Sequence, residues 1–391
     1  MADTRAQEVD KSFNRVLSGL GVMKAYRELP THLRNVFRAW HFPKLTIQLE
    51  GGLTEQVVLA VKAELEEKLG ALRFPGAPLG KLCFLHDYFA TAIALAFSLR
   101  SLQTYPPSLA PQITHLAKAL SPVLSRDVII AALQSLFWEL DNVLVKHNRL
   151  DRQILWVSLD TQNLPDGRPE RHLVLHRQAP KTVSVRRDGY PREAFRCGQC
   201  FGNDGVVWVT WGQDDLGVHF PKQKFPVYVQ KHVLDQLEAR VDCFDNAAGH
   251  IHDFLWQSLL KPKFAKLDRP EQPFLVEYRF LGHKLGYLPV RIIDGKAVVL
   301  TFLFLTMDGT PESRLLQEHL KVRRNQRERL ELDRLSTFLL TDVQDDPVVR
   351  NALEKCGCGH LFHVVKEDAA IRHFPGYAER VRNHLGVARL G

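Results

Sequence analysis

The sequence predicts a multidomain α+β fold, with a helical N-terminal part, a β-rich middle and a small α+β domain built on an antiparallel sheet. Three observations predict it. Residues 1–150 carry apolar residues at helical spacing, residues 151–226 alternate polar and apolar residues, and residues 227–345 combine both patterns. Residues 346–391 form a small tail. A chain of 391 residues is long enough for two or three separate cores.

The composition is that of a soluble globular protein, with 45% hydrophobic and 25% charged residues. The N-terminus is mixed in charge and lacks an apolar core, and the apolar run at 89–99 is too short to span a bilayer. We therefore expect a cytoplasmic protein that does not associate with membranes. A net charge of +8 favours an acidic partner such as nucleic acid, but only mildly.

The N-terminal part contains two long predicted helices. The segment 54–70 begins with Thr54 as a cap and ends at Gly70, and the segment 125–147 begins with Ser125. A short strand at 45–51 interrupts the helices. Because nothing in residues 1–150 has catalytic spacing, we expect this part to pack, to dock a protein partner or to sense.

The middle section contains short strands and a basic stretch from Arg168 to Arg196, with Tyr190, Phe195 and Phe201 in or beside it. Bases stack on aromatic rings while cations meet phosphates, so this composition suits single-stranded nucleic acid. An exposed sheet edge protected by charge explains the same residues and is the favoured interpretation, because acidic residues dilute the charge. The candidate nucleic-acid contacts are Arg186, Arg187, Arg192, Arg196 and Lys284.

The segment 227–345 is predicted to hold a helix at 232–241, a second helix ending before Pro262, and strands at 274–281, 287–293 and 296–306. Asp294-Gly295 is a strong signal for a two-residue hairpin turn. That turn predicts three cross-strand pairs: Ile293 with Lys296, Arg291 with Val298, and Tyr287 with Phe302. A later helix is predicted to start at Pro311 with Thr310 as its cap.

The helix at 232–241 carries a polar row of His232, Gln236 and Arg240 at four-residue intervals. At about 100° per residue, its apolar residues fall within one arc, and His232 lies nearly opposite that arc. The row is therefore either a solvated helix face or part of a cleft that handles phosphate.

A histidine that opens a short helix, an arginine two turns on and an antiparallel sheet whose strands end in Thr resemble the small ribonuclease-toxin fold of barnase, colicin and RelE-type toxins. HVLDQLEARV is similar to the HAxxRLxxR helix start of some toxin-like domains, although Gln236 stands where those domains often have Arg. The resemblance covers residues 228–306. It implies metal-independent RNA cleavage and carries over only His232 and Arg240.

Attack of a ribose 2′-OH on its phosphate needs a base, an acid and fixed cations. The predicted sheet adds polar residues that suit these roles: Glu277, Arg279, His283, Lys284, Tyr287 and Arg291. The catalytic candidates are His232, Arg240, Arg279, Tyr287 and Arg291, without a cofactor. An ordinary polar sheet surface explains the same residues and is the favoured interpretation, because such surfaces are common.

Two cysteine pairs offer a different chemistry. Cys197 and Cys200, together with Cys356, Cys358, His360 and His363, have the ligand types that zinc prefers. The pairs are far apart in the chain and the second is unusually tight, so free thiols without metal are the favoured interpretation.

The motifs of nucleotide hydrolases, zinc proteases, α/β-hydrolases and Rossmann proteins are absent from the sequence. The sequence therefore predicts an RNA-binding protein with metal-independent endoribonuclease activity. The alternative is a non-catalytic regulatory protein that docks a protein partner through residues 1–150.

Overall fold

A computed structural model describes residues 2–53, 55–76, 79, 82–101, 105–163, 169–187, 189–212, 224–243, 248–265, 274–321, 324–364 and 381–382. The chain forms two compact units. The first contains residues 1–147, 155–177 and 200–205, and the second contains 148–154, 178–199 and 206–391. The predicted multidomain α+β class is confirmed. The predicted β-rich middle section, residues 151–226, is instead divided between the two units.

The first unit is mainly helical. Its helices are α1 Ala2–Gly19, α2 Met23–Arg27, α3 Thr31–Ala39, α4 Gln56–Ala71, α5 Leu85–Asp87, α6 Ile93–Ser101, α7 Ala110–Leu120 and α8 Arg126–His147. A π-helical segment, Tyr88–Ala92, joins α5 to α6. Helices α4 and α8 correspond to the two predicted long helices. Ser125 caps α8 by accepting a hydrogen bond from the Val128 N–H at 3.4 Å, whereas Thr54 lies outside the described residues.

Helix α8 is long and apolar enough to cross a bilayer when judged by length and composition alone. One stripe of it is nevertheless buried in the first unit, including Leu136, Leu140 and Leu144. Its Asp141 carboxylate also accepts a hydrogen bond from the Gly202 N–H at 2.8 Å. This packing fits a core helix and is consistent with a soluble protein, while the cytoplasmic location stays a prediction.

A three-stranded sheet packs within the first unit. Its strands are β1 Thr46–Leu49, β2 Ile154–Asn163 and β3 Pro169–Gln178, in the order β1-β3-β2. β1 runs parallel to β3, with Ile47 opposite Leu173. Leu173 and Leu175 are fully buried, so one face of β3 belongs to the core.

The second unit is built on a sheet that joins strands from the two sections predicted to be separate. The strands are β4 Thr182–Arg187, β5 Tyr190–Arg196, β8 Thr210–Trp211, β9 Phe225–Gln230, β10 Phe274–Phe280, β11 His283–Ile293, β12 Lys296–Val299 and β13 Leu303–Phe304. The main path of the sheet is β10-β11-β12-β9-β5-β4, with β13 on β11 and β8 on β9. β12 and β9 are parallel, and the antiparallel pairing of β9 with β5 places residues from both predicted sections in one sheet. A separate two-stranded sheet pairs β6 Gly198–Cys200 with β7 Val206–Trp208.

The predicted hairpin turn is confirmed. Asp294 and Gly295 both have positive φ, 48° and 70°, as a type I′ turn requires. Ile293 pairs with Lys296 and Arg291 with Val298, as the turn predicted. β10, β11 and β12 therefore form the expected antiparallel meander.

The predicted third strand, 296–306, is wrong in its continuity, because the strand stops at Val299 and resumes as β13. Tyr287 consequently pairs with Leu303 rather than with Phe302. The interruption lies opposite Pro289, which accepts a hydrogen bond from the Leu300 N–H at 2.9 Å but has no N–H of its own to donate.

The helices of the second unit are α9 Lys231–Arg240, α10 Ala248–Leu260, α11 Pro311–Leu320, α12 Arg324–Arg329, α13 Leu335–Leu340 and α14 Pro347–Lys355. The 3₁₀ helix Cys358–Phe362 follows α14 and packs on β11, so the start of the predicted tail belongs to this unit. The Thr310 hydroxyl accepts a hydrogen bond from the Ser313 N–H at 3.0 Å, which confirms the predicted cap of α11.

Gly286 tests the packing of β13 on β11. A Cβ at this position would meet the Leu303 carbonyl oxygen and, at 2.7 Å, Cε2 of Phe302. We expect Gly286→Ala to destabilise the protein by about 1–3 kcal/mol or more in urea unfolding, because backbone has to move. Gly359→Ala is the matched control, since its Cβ would make an ordinary 3.4 Å contact with Glu354. Equal stability of the two variants would contradict this strand pairing.

Candidate functional site

One face of the second unit's sheet gathers many of the predicted site residues. Glu277 pairs directly with Tyr287, and Arg291 shares the face of Tyr287 by alternation. Arg291 pairs with Val298, Val298 with Tyr228, and Tyr228 with Arg196, so the same face continues across the sheet. The sequence left open whether these faces coincide, and the register shows that they do.

A buried polar triad of Lys284, Tyr287 and Glu312 lies at one end of this face. The Lys284 ammonium donates to Oε1 of Glu312 at 2.6 Å and to the Tyr287 hydroxyl at 3.1 Å. The Tyr287 hydroxyl in turn donates to the same Oε1 at 3.0 Å. Glu312 comes from the first turn of α11, which Thr310 and Pro311 position. The triad thus joins β11 to the start of α11.

Burial and charge set the protonation of the triad. Desolvation, followed by the nearby Glu312 charge, raises the pKa of Tyr287 to about 12. Burial alone would lower the pKa of Lys284, but its hydrogen bonds to Glu312 and Tyr287 outweigh burial and raise that pKa. The lysine is therefore cationic and the tyrosine neutral at pH 7. Oε2 of Glu312 is buried and has no hydrogen-bond partner among the described residues.

Three histidines lie beside the triad. His283 begins β11, and its ring centroid is 6.4 Å from that of His360 and 6.3 Å from that of His363. His360 is exposed, and desolvation followed by the positive charges of Lys284 and Arg279 lowers its pKa. A neutral, accessible imidazole at pH 7 is therefore held next to fixed cations. We refer to His283, His360 and His363 as the histidine cluster.

Arg279 borders the histidine cluster. Its Nε and Nη2 donate to Oε2 of Glu277 at 2.9 and 2.7 Å, and its Nη1 donates to the Gly282 carbonyl at 3.0 Å. These bonds fix the guanidinium on the sheet surface. The structure thus brings together three predicted site residues, Arg279, Lys284 and Tyr287, with Glu312 and the histidine cluster.

No protein-family model, curated protein or solved structure matches the chain. The functional argument therefore depends on the geometry and chemistry of the site itself.

The two residues that the toxin resemblance carried over lie on α9. The ring of His232 is exposed, as the helical pattern predicted, and no hydrogen bond, ion pair or ring contact joins it to another described residue. Arg240 donates to the Phe302 carbonyl at 3.1 Å, and burial lowers its pKa despite the nearby Asp333. It lines a separate polar cavity of about 250 Å³ with Asp308 and Arg327. Within the described part of the chain, neither His232 nor Arg240 contacts the histidine cluster.

The basic residues predicted to contact nucleic acid lie mainly on the β4–β5 hairpin. Arg186 and Arg192 are exposed, and Tyr190 is 70% exposed at the turn end. Arg196 lies with its Cζ 5.4 Å from the Trp208 ring centroid, which Lys181 also approaches at 4.4 Å. For Arg187 the backbone alone is described. β4 ends the sheet, so the hairpin is a charged edge as well as a basic and aromatic surface. Arg291 is exposed on β11.

The described residues do not form the zinc site that the sequence offered as an alternative. All six cysteines are buried, and none of them forms a disulfide. Burial raises the pKa of Cys197 and Cys358, which keeps these thiols protonated. No group of three or more His, Cys, Asp or Glu side chains in the described ranges could hold a metal ion.

Sequence reasoning missed the contacts of Glu312 with Lys284 and Tyr287 and the position of His360 near His283. Glu312 was visible only as a residue in the first turn of α11, and His360 and His363 were considered as zinc ligands. The signal for the histidines was their presence in GHLFH and in GHK, but only the folded chain brings these segments together. Glu312 had no comparable signal in the sequence.

Proposed function

We propose that this protein binds RNA and cleaves it without a metal ion at the histidine cluster. The observation that carries the proposal is the exposed ring of His360, whose centroid lies 6.4 Å from that of His283 at the start of β11. Desolvation, followed by the positive charges of Lys284 and Arg279, lowers the pKa of His360. Perturbed titratable groups of differing role are typical of sites for proton transfer.

The proposed reaction needs a base, an acid and fixed cations, and the site has residues for all three. Neutral His360 accepts the proton of a ribose 2′-OH, and the freed oxygen attacks the adjacent phosphorus. The 5′-oxygen leaves and takes a proton from His283 or His363 in its protonated form. Lys284 and Arg279 stabilise the negative charge that develops on the phosphate oxygens. The products are a 2′,3′-cyclic phosphate and a 5′-hydroxyl end.

RNA affinity is assigned to the β4–β5 hairpin and to the net charge of +8. Arg186 and Arg192 supply exposed cations, and the exposed ring of Tyr190 can stack on a base. Arg291 adds a cation on the sheet face that leads toward the histidine cluster.

The test is incubation of the purified chain with total RNA, with and without a chelator. We expect cleavage to persist in the chelator and to leave 5′-hydroxyl ends. RNA with a 2′-deoxy sugar at the cleaved position is the matched control and should stay intact. Because the pKa of His360 is lowered, its neutral form persists below the usual histidine pKa of about 6.5. On the acid side, the cleavage rate should therefore begin to fall only below that pH. Intact RNA under all conditions would contradict the proposal.

One observation favours the alternative function, docking of a protein partner through residues 1–150. Trp138 is 68% exposed on α8, and Ile130, two turns earlier, is 41% exposed. Large exposed apolar residues on one helix are typical of interaction surfaces. A photo-crosslinking residue at position 138 that captures no partner would remove this support.

A further inference from the structure

A small apolar cavity in the first unit contains one charged residue. The cavity has a volume of about 140 Å³ and lies between the three-stranded sheet and helices α6 and α8. Leu159 of β2 and Arg171 of β3 line it from the sheet side. The remaining lining is apolar and consists of Leu45, Phe89, Ile93, Ile129, Leu133 and Leu136.

Arg171 occupies a position of β3 at which the alternation of buried and exposed residues predicts an apolar side chain. It shares the face of β3 with Leu173 and Leu175, both of which are fully buried. Arg171 itself is only half-buried, and its guanidinium lies 5.5 Å from the ring centroid of Phe42. The cation therefore approaches the core from the mouth of the cavity.

Arg171 has no acidic partner in the described part of the chain. No hydrogen bond or ion pair of its guanidinium joins it to a described residue. Burial lowers its pKa, and among the described residues only Tyr88, when ionised, would act against that shift. Tyr88 donates its hydroxyl to the Val123 carbonyl at 2.9 Å and is neutral at pH 7. Partial burial of a cation without a counter-ion carries a desolvation cost, which a negatively charged ligand would offset.

We propose that this cavity binds a small monocarboxylic acid with an apolar body, whose carboxylate pairs with Arg171. A guanidinium and a carboxylate match in geometry, since two parallel hydrogen bonds join them. The cavity is close in volume to the engineered apolar cavity of about 150 Å³ that holds benzene. The acid is therefore about as large as benzoate. This site is independent of the histidine cluster and of the proposed RNA cleavage.

The test uses benzoate as the probe, with the full chain, in calorimetry and ligand-observed NMR. We expect saturable binding at one site. Toluene, which has a similar body and no charge, should bind more weakly. Arg171→Met keeps much of the side-chain length and removes the charge, and it should weaken benzoate binding about tenfold or more. Leu133→Trp fills the cavity while Arg171 remains, and it should abolish binding of both probes.

A second measurement separates loss of binding from loss of folding. Because Arg171→Met removes an unpaired, half-buried charge, the Tm of the free protein should stay the same or rise. Benzoate should raise the Tm of the wild type and not that of the variant. The proposal is overturned if wild-type protein shows no saturable binding at millimolar benzoate, or if Arg171→Met binds equally well. A large fall in Tm on Arg171→Met would also overturn it, since the arginine would then have a partner within the fold.

Discussion

Replacement of His360 by asparagine is expected to reduce RNA cleavage about a hundredfold or more, the usual loss when a general base is removed. RNA affinity should change little, because His360 is neutral at pH 7 and supplies no charge to bind phosphate. The fold should also be preserved, since the ring is exposed. Single-turnover cleavage of a fluorescent oligoribonucleotide and its binding in the same buffer measure the two quantities separately.

Two histidine variants complete this experiment. His319→Asn is the matched control, because His319 is also exposed in the second unit but lies on α11 away from the start of β11 in sequence. It should cleave normally. His232→Asn tests the residue that the toxin resemblance carried over. If His232→Asn loses cleavage and His360→Asn does not, the catalytic site lies on α9 and the histidine cluster is an ordinary surface.

The parts of the fold that follow from local chemistry could be predicted. The Asp294-Gly295 turn needs positive φ at two adjacent positions, and the Thr310-Pro311 start of α11 needs a side-chain acceptor and a residue without an N–H. In both cases, adjacent residues in the sequence meet the requirement. The apolar arc of α9 was predicted for the same reason, and Val233, Leu234 and Leu237 are buried.

Features that depend on distant segments could not be predicted. The antiparallel pairing of β9 with β5 joins two sections of the chain that differ in composition, and no local pattern specifies such a pairing. The site shows the same limit. Lys284 and Tyr287 were recognised from their strand, but Glu312 and His360 reach them from elements that follow much later in the sequence. The sequence therefore favoured His232 as a catalytic candidate, because the local pattern of α9 alone was enough to predict its helix.

Replacement of Lys284 by methionine should destabilise the second unit by about 3–5 kcal/mol, because it leaves the Glu312 carboxylate buried without its cation. The side chains of Lys284 and Glu312 are only 14% and 6% exposed, and Oε2 of Glu312 already lacks a described partner. Urea unfolding measures the change. Lys231→Met is the matched control, because its ion pair with Asp235 has side chains that are 54% and 52% exposed, and such surface pairs contribute about 1 kcal/mol or less.

The double variant Lys284→Met/Glu312→Leu separates the loss of a partner from the value of the pair itself. It should recover much of the stability that Lys284→Met loses, since both charges are then removed from the interior.

The pH dependence of the free energy of unfolding gives an independent check. Because the pKa of Lys284 is raised, the stability that the pair contributes is complete below the usual lysine pKa and is lost as pH rises through the raised value. The double variant should lose less stability than the wild type in that alkaline range. A Lys284→Met protein as stable as Lys231→Met would mean that the triad does not hold β11 to α11, and the cation assigned to the cleavage site would lose its structural support.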